Sequence, residues 1–320
     1  MVDRKRGDHS MGSLDTLQRE IRNLAKEHNT VILAHNYQPP EIQDIADYLG
    51  DSFGLCQKAQ HIDADTILFC GVRFMAETAA ILNPNKRVLI PDPNARCPMA
   101  AQLPAQLIRE AKQKYPGVPV VLYVNTTAEA KAEADVICTS ANLCTILKAL
   151  DVNPVLFGPD GNMADYAHHI CGFDVIPIPE SGFCHVHITF SFDPQTFAYR
   201  QEHPDAKLLV HPECAWNIQE QADFIGSTGQ MIQYARESSA SSFIICTEVD
   251  LVTRMRHEIP GKTFFPALDY AICKAMKKIT LEKVKASLIK DQFQVTVPTE
   301  VADKARTAIQ RMLDLSSLKD

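Results

Sequence analysis

Runs of aliphatic and β-branched residues, five to seven residues long, return along the whole chain and alternate with segments whose apolar residues recur every three or four positions. The runs are VILAH (31–35), DTILFC (65–70), RVLIP (87–91), VPVVLYV (118–124), DVICT (135–139), PVLFG (154–158), DVIPI (174–178), KLLVH (207–211), DFIGS (223–227) and SFIIC (242–246). A strand apolar on both faces needs cover on both faces, and the intervening helices supply it. The chain is therefore expected to be α/β, with parallel sheets packed between helices.

Aligning the runs suggests internal repetition. A first strand ends in a polar residue at His35 or Asn36, at Asn125 and at His211, with 89 residues from Asn36 to Asn125 and 86 from Asn125 to His211. A second opens with Asp65, Asp135 and Asp223, and a third reads RVLIP, PVLFG and SFIIC. Three similar units of nearly ninety residues are the simplest account. The expected boundaries are 14–104, 105–190 and 191–280. A C-terminal tail, 281–320, holds two helices around QVTVP and is expected to pack back on the first unit. Before the first strand, Ser13 followed by Leu14, Leu17, Ile21 and Leu24 predicts a capped amphipathic helix.

The same period selects among ten cysteines. Cys97, Cys184 and Cys273 lie 87 and 89 residues apart, each in a loop near the end of its unit: NARCPMA, ESGFCHVH and LDYAICKAM. If the units surround a pseudo-threefold axis, these loops converge and offer three thiolates to one metal centre. Three thiolates suit either zinc closed by a histidine or an iron–sulfur cluster with one iron left open as a Lewis acid. Cys70, Cys138 and Cys246 end apolar runs and read as small core residues. No C-x-x-C pair is present, and in a cytoplasmic chain of this length the thiols are expected to be mostly reduced.

Ligands of open α/β sheets lie beyond the carboxyl ends of the strands. The polar groups there are HNYQ (35–38), DS (51–52), YVN (123–125), TSANL (139–143), HPE (211–213) and GST (226–228). Ser140 and Thr228 precede helical patterns, where hydroxyls and free N–H groups bind carboxylate or phosphate. His35, Tyr37, His211 and Glu213 supply acid–base groups. HVH (185–187) supports a competing reading as a zinc-dependent hydrolase, although no second metal-binding cluster in suitable order follows it. A non-catalytic iron–sulfur sensor is a further alternative. Neither G-x-G-x-x-G nor G-x-x-x-x-G-K-[ST] occurs, which removes the main argument for a nucleotide-binding enzyme.

A formal charge of -7 gives no basic footprint for nucleic acid. No apolar stretch reaches the roughly 18 residues of a membrane helix, and MVDRKRGDHSMGS lacks a secretory core. A cytoplasmic protein with neither nucleic-acid nor membrane partners is expected.

The segments VILAHNYQPPEIQDIADYLGDS, GVRFMAETAAILNP, YVNTTAEAKAEAD, TSANL, LLVHPEC and GST together resemble the quinolinate synthase (quinolinate synthetase A) family, from about residue 14 to 290. The resemblance implies three αβα-layered domains around a pseudo-threefold axis, with a 4Fe-4S cluster held by Cys97, Cys184 and Cys273. It implies a condensing and dehydrating transferase that joins iminosuccinate (iminoaspartate) to dihydroxyacetone phosphate, giving quinolinate, phosphate and water for NAD biosynthesis. By the family pattern, His35, Ser52, Tyr123, Asn125, Ser140, His211, Glu213 and Thr228 hold the dicarboxylate. Within that reading Glu213 is the candidate general base, Tyr37 serves ring closure and dehydration, and His35, Tyr123 and His211 complete the catalytic set. A functional link to an L-aspartate oxidase or aspartate dehydrogenase supplying iminosuccinate is implied as well, and a homodimer is compatible with the resemblance.

Three departures stand out. Some relatives carry C-x-x-C-x-x-C around the last ligand, whereas Cys273 stands alone here and leaves no local disulfide switch. The loop GSTGQM replaces a more usual GSTSGM beside Thr228. Residues 1–12 have no family counterpart and are expected to be disordered.

Overall fold

A computed structural model describes residues 7–317 of the chain. Its twelve strands form three four-stranded sheets in which every named strand pair is parallel. The first contains β1 (Thr30–His35), β2 (Tyr48–Gly50), β3 (Thr66–Cys70) and β4 (Arg87–Leu89). The second contains β5 (Val120–Tyr123), β6 (Val136–Cys138), β7 (Val155–Gly158) and β8 (Val175–Pro177). The third contains β9 (Lys207–Val210), β10 (Phe224–Ile225), β11 (Ser242–Cys246) and β12 (Thr263–Pro266). Each sheet runs second, first, third, fourth strand across its width. Connections therefore leave the first strand in opposite directions, opening a crevice at its carboxyl end. β3, β5, β6 and β7 are buried at every position, as helices on both faces require.

Equivalent positions in the sheets lie 88 residues apart. His35, Tyr123 and His211 end or immediately follow the first strands. Asp47, Asp135 and Asp223 precede the second strands, and each carboxylate accepts a backbone N–H from the first strand: Ile32 at 2.7 Å, Val120 at 2.7 Å and Leu208 at 2.8 Å. This corrects the alignment drawn from sequence. Asp47, not Asp65, matches Asp135 and Asp223, because the three-residue edge strand β2 was not predicted. β12 was not predicted either. Consequently DTILFC, not RVLIP, is the counterpart of PVLFG and SFIIC, and RVLIP is a fourth strand.

The first helix, α1 (Gly7–Glu27), starts six residues before Ser13, so Ser13 is interior rather than an N-cap, and residues 7–12 are helical. Residues 1–6 of the segment expected to be disordered lie outside the described residues. In the tail, α13 (Leu281–Lys290) packs on α1, and Val295 N–H donates to Val88 O at 2.7 Å, extending the first sheet's edge. The last helix, α14 (Thr299–Ser317), lies mainly against the second unit, on β6, α6 (Ala128–Lys131) and α7 (Leu143–Leu150), and also reaches α4 (Arg73–Leu82). The tail thus packs on the first unit and also on the second. Its Ala302, Ala305, Ala308, Ile309 and Met312 stripe is buried between them.

One apolar core runs through the first two units and the tail and takes in Ala275, Met276 and Ile279 at the end of the third unit, whose remaining apolar residues form separate cores. Polar contacts join the third unit to the others. Asn36 Nδ2 donates to Thr228 Oγ1 at 2.7 Å, Ser227 Oγ donates to Asp51 Oδ2 at 2.7 Å, and the Tyr123 hydroxyl donates to Glu213 Oε1 at 2.6 Å. Directional bonds of this kind fix geometry where apolar packing does not reach.

Candidate active site

The three first-strand crevices open into one cavity of about 60 Å³. The first unit contributes His35, Tyr37, Ser52 and Cys97; the second, Tyr123, Asn125, Ser140 and Cys184; the third, His211, Glu213, Thr228 and Cys273. All twelve residues singled out from the sequence therefore face one space.

Each side chain is placed by its strand and the turn after it. Tyr37 N–H donates to His35 Nδ1 at 3.2 Å, and Glu213 N–H donates to His211 Nδ1 at 3.3 Å, the same bond in two units. An Nδ1 that accepts leaves Nε2–H as the donor of a neutral imidazole. Burial agrees with this, holding His35 at about 4 against the pull of Asp51 and Glu213. It holds His211 at about 3, with neighbouring His187 adding to the effect. Both rings are then neutral hydrogen-bond donors at neutral pH.

Ser52 opens α3 (Ser52–Ala59) behind its Asp51 cap, and Thr228 opens α11 (Thr228–Glu237) behind a Ser227–Gln230 capping box. Ser140 lies in the turn before α7. The positive ends of helix dipoles meet the cavity wall at these turns. Apolar Val72, Phe74, Met75, Val186 and Met276, together with Asp51, His187 and Glu248, complete the lining.

Glu213 is 3% exposed and accepts from the Tyr123 hydroxyl at 2.6 Å, from Asn125 Nδ2 at 3.1 Å and from His187 Nδ1 at 2.6 Å. Burial alone would raise its pKa, but His187 and the hydrogen bonds overcome that penalty and hold the carboxyl below the ordinary range. Burial and the same carboxylate push the Tyr123 and Tyr37 phenols well up, so both remain donors. Asn125 Oδ1 is buried without a partner; because Nδ2 is fixed by Glu213, this oxygen is an acceptor available to a bound molecule.

His187 is the principal residue that sequence reasoning missed. Its Nε2 lies 2.8 Å from Thr247 Oγ1, which lies 2.6 Å from the Tyr37 hydroxyl, and its ring stacks on His211 at 4.7 Å. Its only sequence signal was membership of HVH. That motif is not a chelating pair, because His185 is exposed and edges against Phe183 while His187 is buried. Cys184, His187 and Glu213 do have ligand atoms within 4.8 Å of one another. The Nδ1 of His187, however, is already shared between Glu213 at 2.6 Å and Cys184 Sγ at 3.1 Å. Glu248 was also missed. It is fully buried, pairs with Lys277 at 2.6 Å and accepts the Cys273 N–H at 3.1 Å.

The three cavity cysteines share a local geometry. Cys97, Cys184 and Cys273 each lie three residues before a 3-10 turn, at Ala100–Gln102, His187–Ser191 and Met276–Lys278. Backbone N–H groups at or next to these turns, those of Ala100 and Met99, of His187, and of Met276 and Ala275, favour the thiolate form of the sulfurs they face. Gly182 lets the Cys184 loop sit on its neighbour, since a Cβ there would lie 1.8 Å from Pro159 O. Burial nevertheless pushes the Cys97 thiol up to about 12, Cys184 well above its ordinary value and Cys273 upward. Buried sulfurs facing backbone N–H groups, with the Lys277 ammonium acting on Cys273, fit a site that a metal's own charge would deprotonate. Three soft ligands from three units suit an iron–sulfur cluster better than a hard cation.

Other thiols depart from expectation in one respect. Cys56, Cys70, Cys138, Cys214 and Cys246 are free and buried, whereas Cys144 and Cys171 form a disulfide. The sequence leads one to expect mostly reduced thiols and does not single out this pair. α7 and the end of α8 (Gly161–His169) bring the two Cα atoms within 5.0 Å, a proximity that their 27-residue separation does not reveal.

A family profile described as Quinolinate synthetase A protein matches residues 19–314. A quinolinate synthase of Methanothermobacter thermautotrophicus is 54% identical over 304 residues, covering 95% of this chain and 99% of the relative. Those of Pyrococcus furiosus and Thermotoga maritima are 51% and 47% identical, covering 96% and 92% of this chain and 100% and 98% of the relatives.

Proposed function

This chain belongs to the quinolinate synthetase A family, and on that footing we propose that it condenses iminosuccinate with dihydroxyacetone phosphate. The products would be quinolinate, phosphate and two waters, and the place of the reaction is NAD biosynthesis. The observation that carries this reading is the convergence on one cavity of three cysteines, one from each unit, and twelve polar side chains.

Cys97, Cys184 and Cys273 would hold a 4Fe-4S cluster, leaving one iron as a Lewis acid for a substrate hydroxyl or carboxylate. The remaining chemistry belongs to the chain. A four-carbon dicarboxylate needs several donors, and His35, His211, Tyr123 and Asn125 supply them, with Ser52, Ser140 and Thr228 at the helix-opening turns. Neutral imidazoles orient carboxylates without the bulk or competition of a surface lysine.

Glu213 is ionised and can take a proton during the ketose-to-aldose rearrangement of the triose. Its three donors lower its basicity in the free protein, so a substrate that draws away Tyr123 or Asn125 would raise it at the moment of use. Tyr37, coupled through Thr247 to His187, would give and recover a proton during ring closure and loss of water. The apolar wall formed by Phe74, Met75 and Met276 limits water around an imine that hydrolyses readily.

Replacing Glu213 by Gln should lower kcat by about 10²- to 10⁴-fold, the range for loss of a positioned base, with the cluster spectrum unchanged. Normal turnover by that variant would contradict the assignment.

A further inference from the structure

Three buried side chains outside the cavity repeat one geometry through the molecule. Gln43, Lys131 and Gln219 lie 88 residues apart, follow the first strand of their units, and are 9%, 0% and 1% exposed. Gln43 Nε2 donates to Asn36 O at 3.1 Å and Gln38 O at 2.7 Å. Lys131 Nζ donates to Val124 O at 2.7 Å and to Thr126 O. Gln219 Nε2 donates to Pro212 O at 2.9 Å and Cys214 O at 2.6 Å. In every unit the clamped carbonyls belong to the residues on either side of one cavity side chain, namely Tyr37, Asn125 and Glu213.

Each clamp also reaches the next unit. Gln43 Nε2 approaches Asp250 O at 3.4 Å, Gln219 Nε2 donates to Asn162 O at 3.2 Å, and Lys131 Nζ sits 5.2 Å from the centre of the Phe74 ring. Phe74, Asn162 and Asp250 are themselves 88 residues apart, so the contacts run from first to third, third to second and second to first unit. The ring closes. Where the neighbour offers an aromatic face instead of a carbonyl, the donor is an ammonium, the group such a face attracts.

We propose that Gln43, Lys131 and Gln219 are three equivalent positioning residues, which fix Tyr37, Asn125 and Glu213 in register with one another by locking their loops and interlocking the three units. The proposal rests on the functional reading above for its kinetic consequence. None of the three lines the cavity, so each acts through the loop it holds.

The test compares Lys131→Met, Lys131→Gln and Gln219→Met with the unsubstituted protein, all purified anaerobically with the cluster. Amide hydrogen exchange reads the clamp whatever the substrate. Lys131→Met should raise exchange in residues 123–127, and Lys131→Gln should restore protection because an amide performs this task in the other two units. Kinetically, the Met variants should lose about 10- to 100-fold in kcat, the scale of a misplaced reactive group, with little change in KM at temperatures well below unfolding. Lys131→Gln should stay within about three-fold of the parent, a rescue that a bulk loss of stability would not give. If Lys131→Met does not fold, Gln219→Asn, which keeps the amide but shortens its reach, should show the same loss in kcat. Unchanged exchange in Lys131→Met, or a Lys131→Gln variant as impaired as Lys131→Met, would overturn the proposal. Absence of quinolinate formation by the parent would instead overturn the substrate reading, with the exchange result still deciding the clamp.

Discussion

Lowering the pH from 7 to 5 should destabilise this protein through two residues of the cavity wall. His35 and His211 are held at about 4 and about 3 by burial, against an ordinary value of 6.5. A base whose folded pKa is depressed loses stability as pH falls, because the unfolded chain begins to bind the proton near pH 6.5 while the folded protein does not. At pH 5 the unfolded imidazole gains about 2 kcal/mol from protonation and the folded one almost none, so the two residues together remove about 4 kcal/mol between pH 7 and 5. Urea unfolding at both pH values, with His35→Asn, His211→Asn and the double variant alongside, isolates the term, since the other nine histidines are common to all four proteins. Each single variant should lose about half of the pH dependence and the double variant most of it. A parent protein equally stable at pH 7 and 5, or a double variant with the full dependence, would refute the assignment of neutral imidazoles.

Serine at Cys97, Cys184 or Cys273 should in each case abolish the visible absorption of the cluster and quinolinate formation, whereas Cys246→Ala should keep both; iron and sulfide analysis of each variant checks this. The Cys144–Cys171 disulfide closes a loop with a sequence separation of 27 and should contribute about 3 to 4 kcal/mol by the chain-entropy estimate, read as a lower unfolding midpoint in Cys144→Ser. Eight titratable thiols in denatured, unreduced protein are expected, and ten would show that the bridge is absent.

The parts of this architecture that were legible in the sequence are those written in local chemistry. β1, β5 and β9 are continuous apolar runs, and the polar residues at or just past their ends, His35, Tyr123 and His211, face the cavity. Edge strands were not legible. β2 spans three residues and leaves Tyr48 39% exposed, so YLG carries no apolar signature, and missing it shifted the first unit's alignment by one strand. His187 escaped notice because its role comes from Glu213, Thr247 and His211, none within twenty residues of it in the chain. The clamp formed by Gln43, Lys131 and Gln219 was hidden for a different reason. Its period is perfect, but a glutamine and a lysine look unrelated until both are seen donating to the same pair of carbonyls.

The most direct test of a three-unit site built around three cysteines is quinolinate formation by the anaerobically purified protein supplied with iminosuccinate and dihydroxyacetone phosphate, followed alongside its visible spectrum. Quinolinate should accumulate with equimolar phosphate from cluster-loaded protein and stop when the cluster is removed. A loaded protein that consumes neither substrate, or equal turnover after the cluster is gone, would contradict the reading.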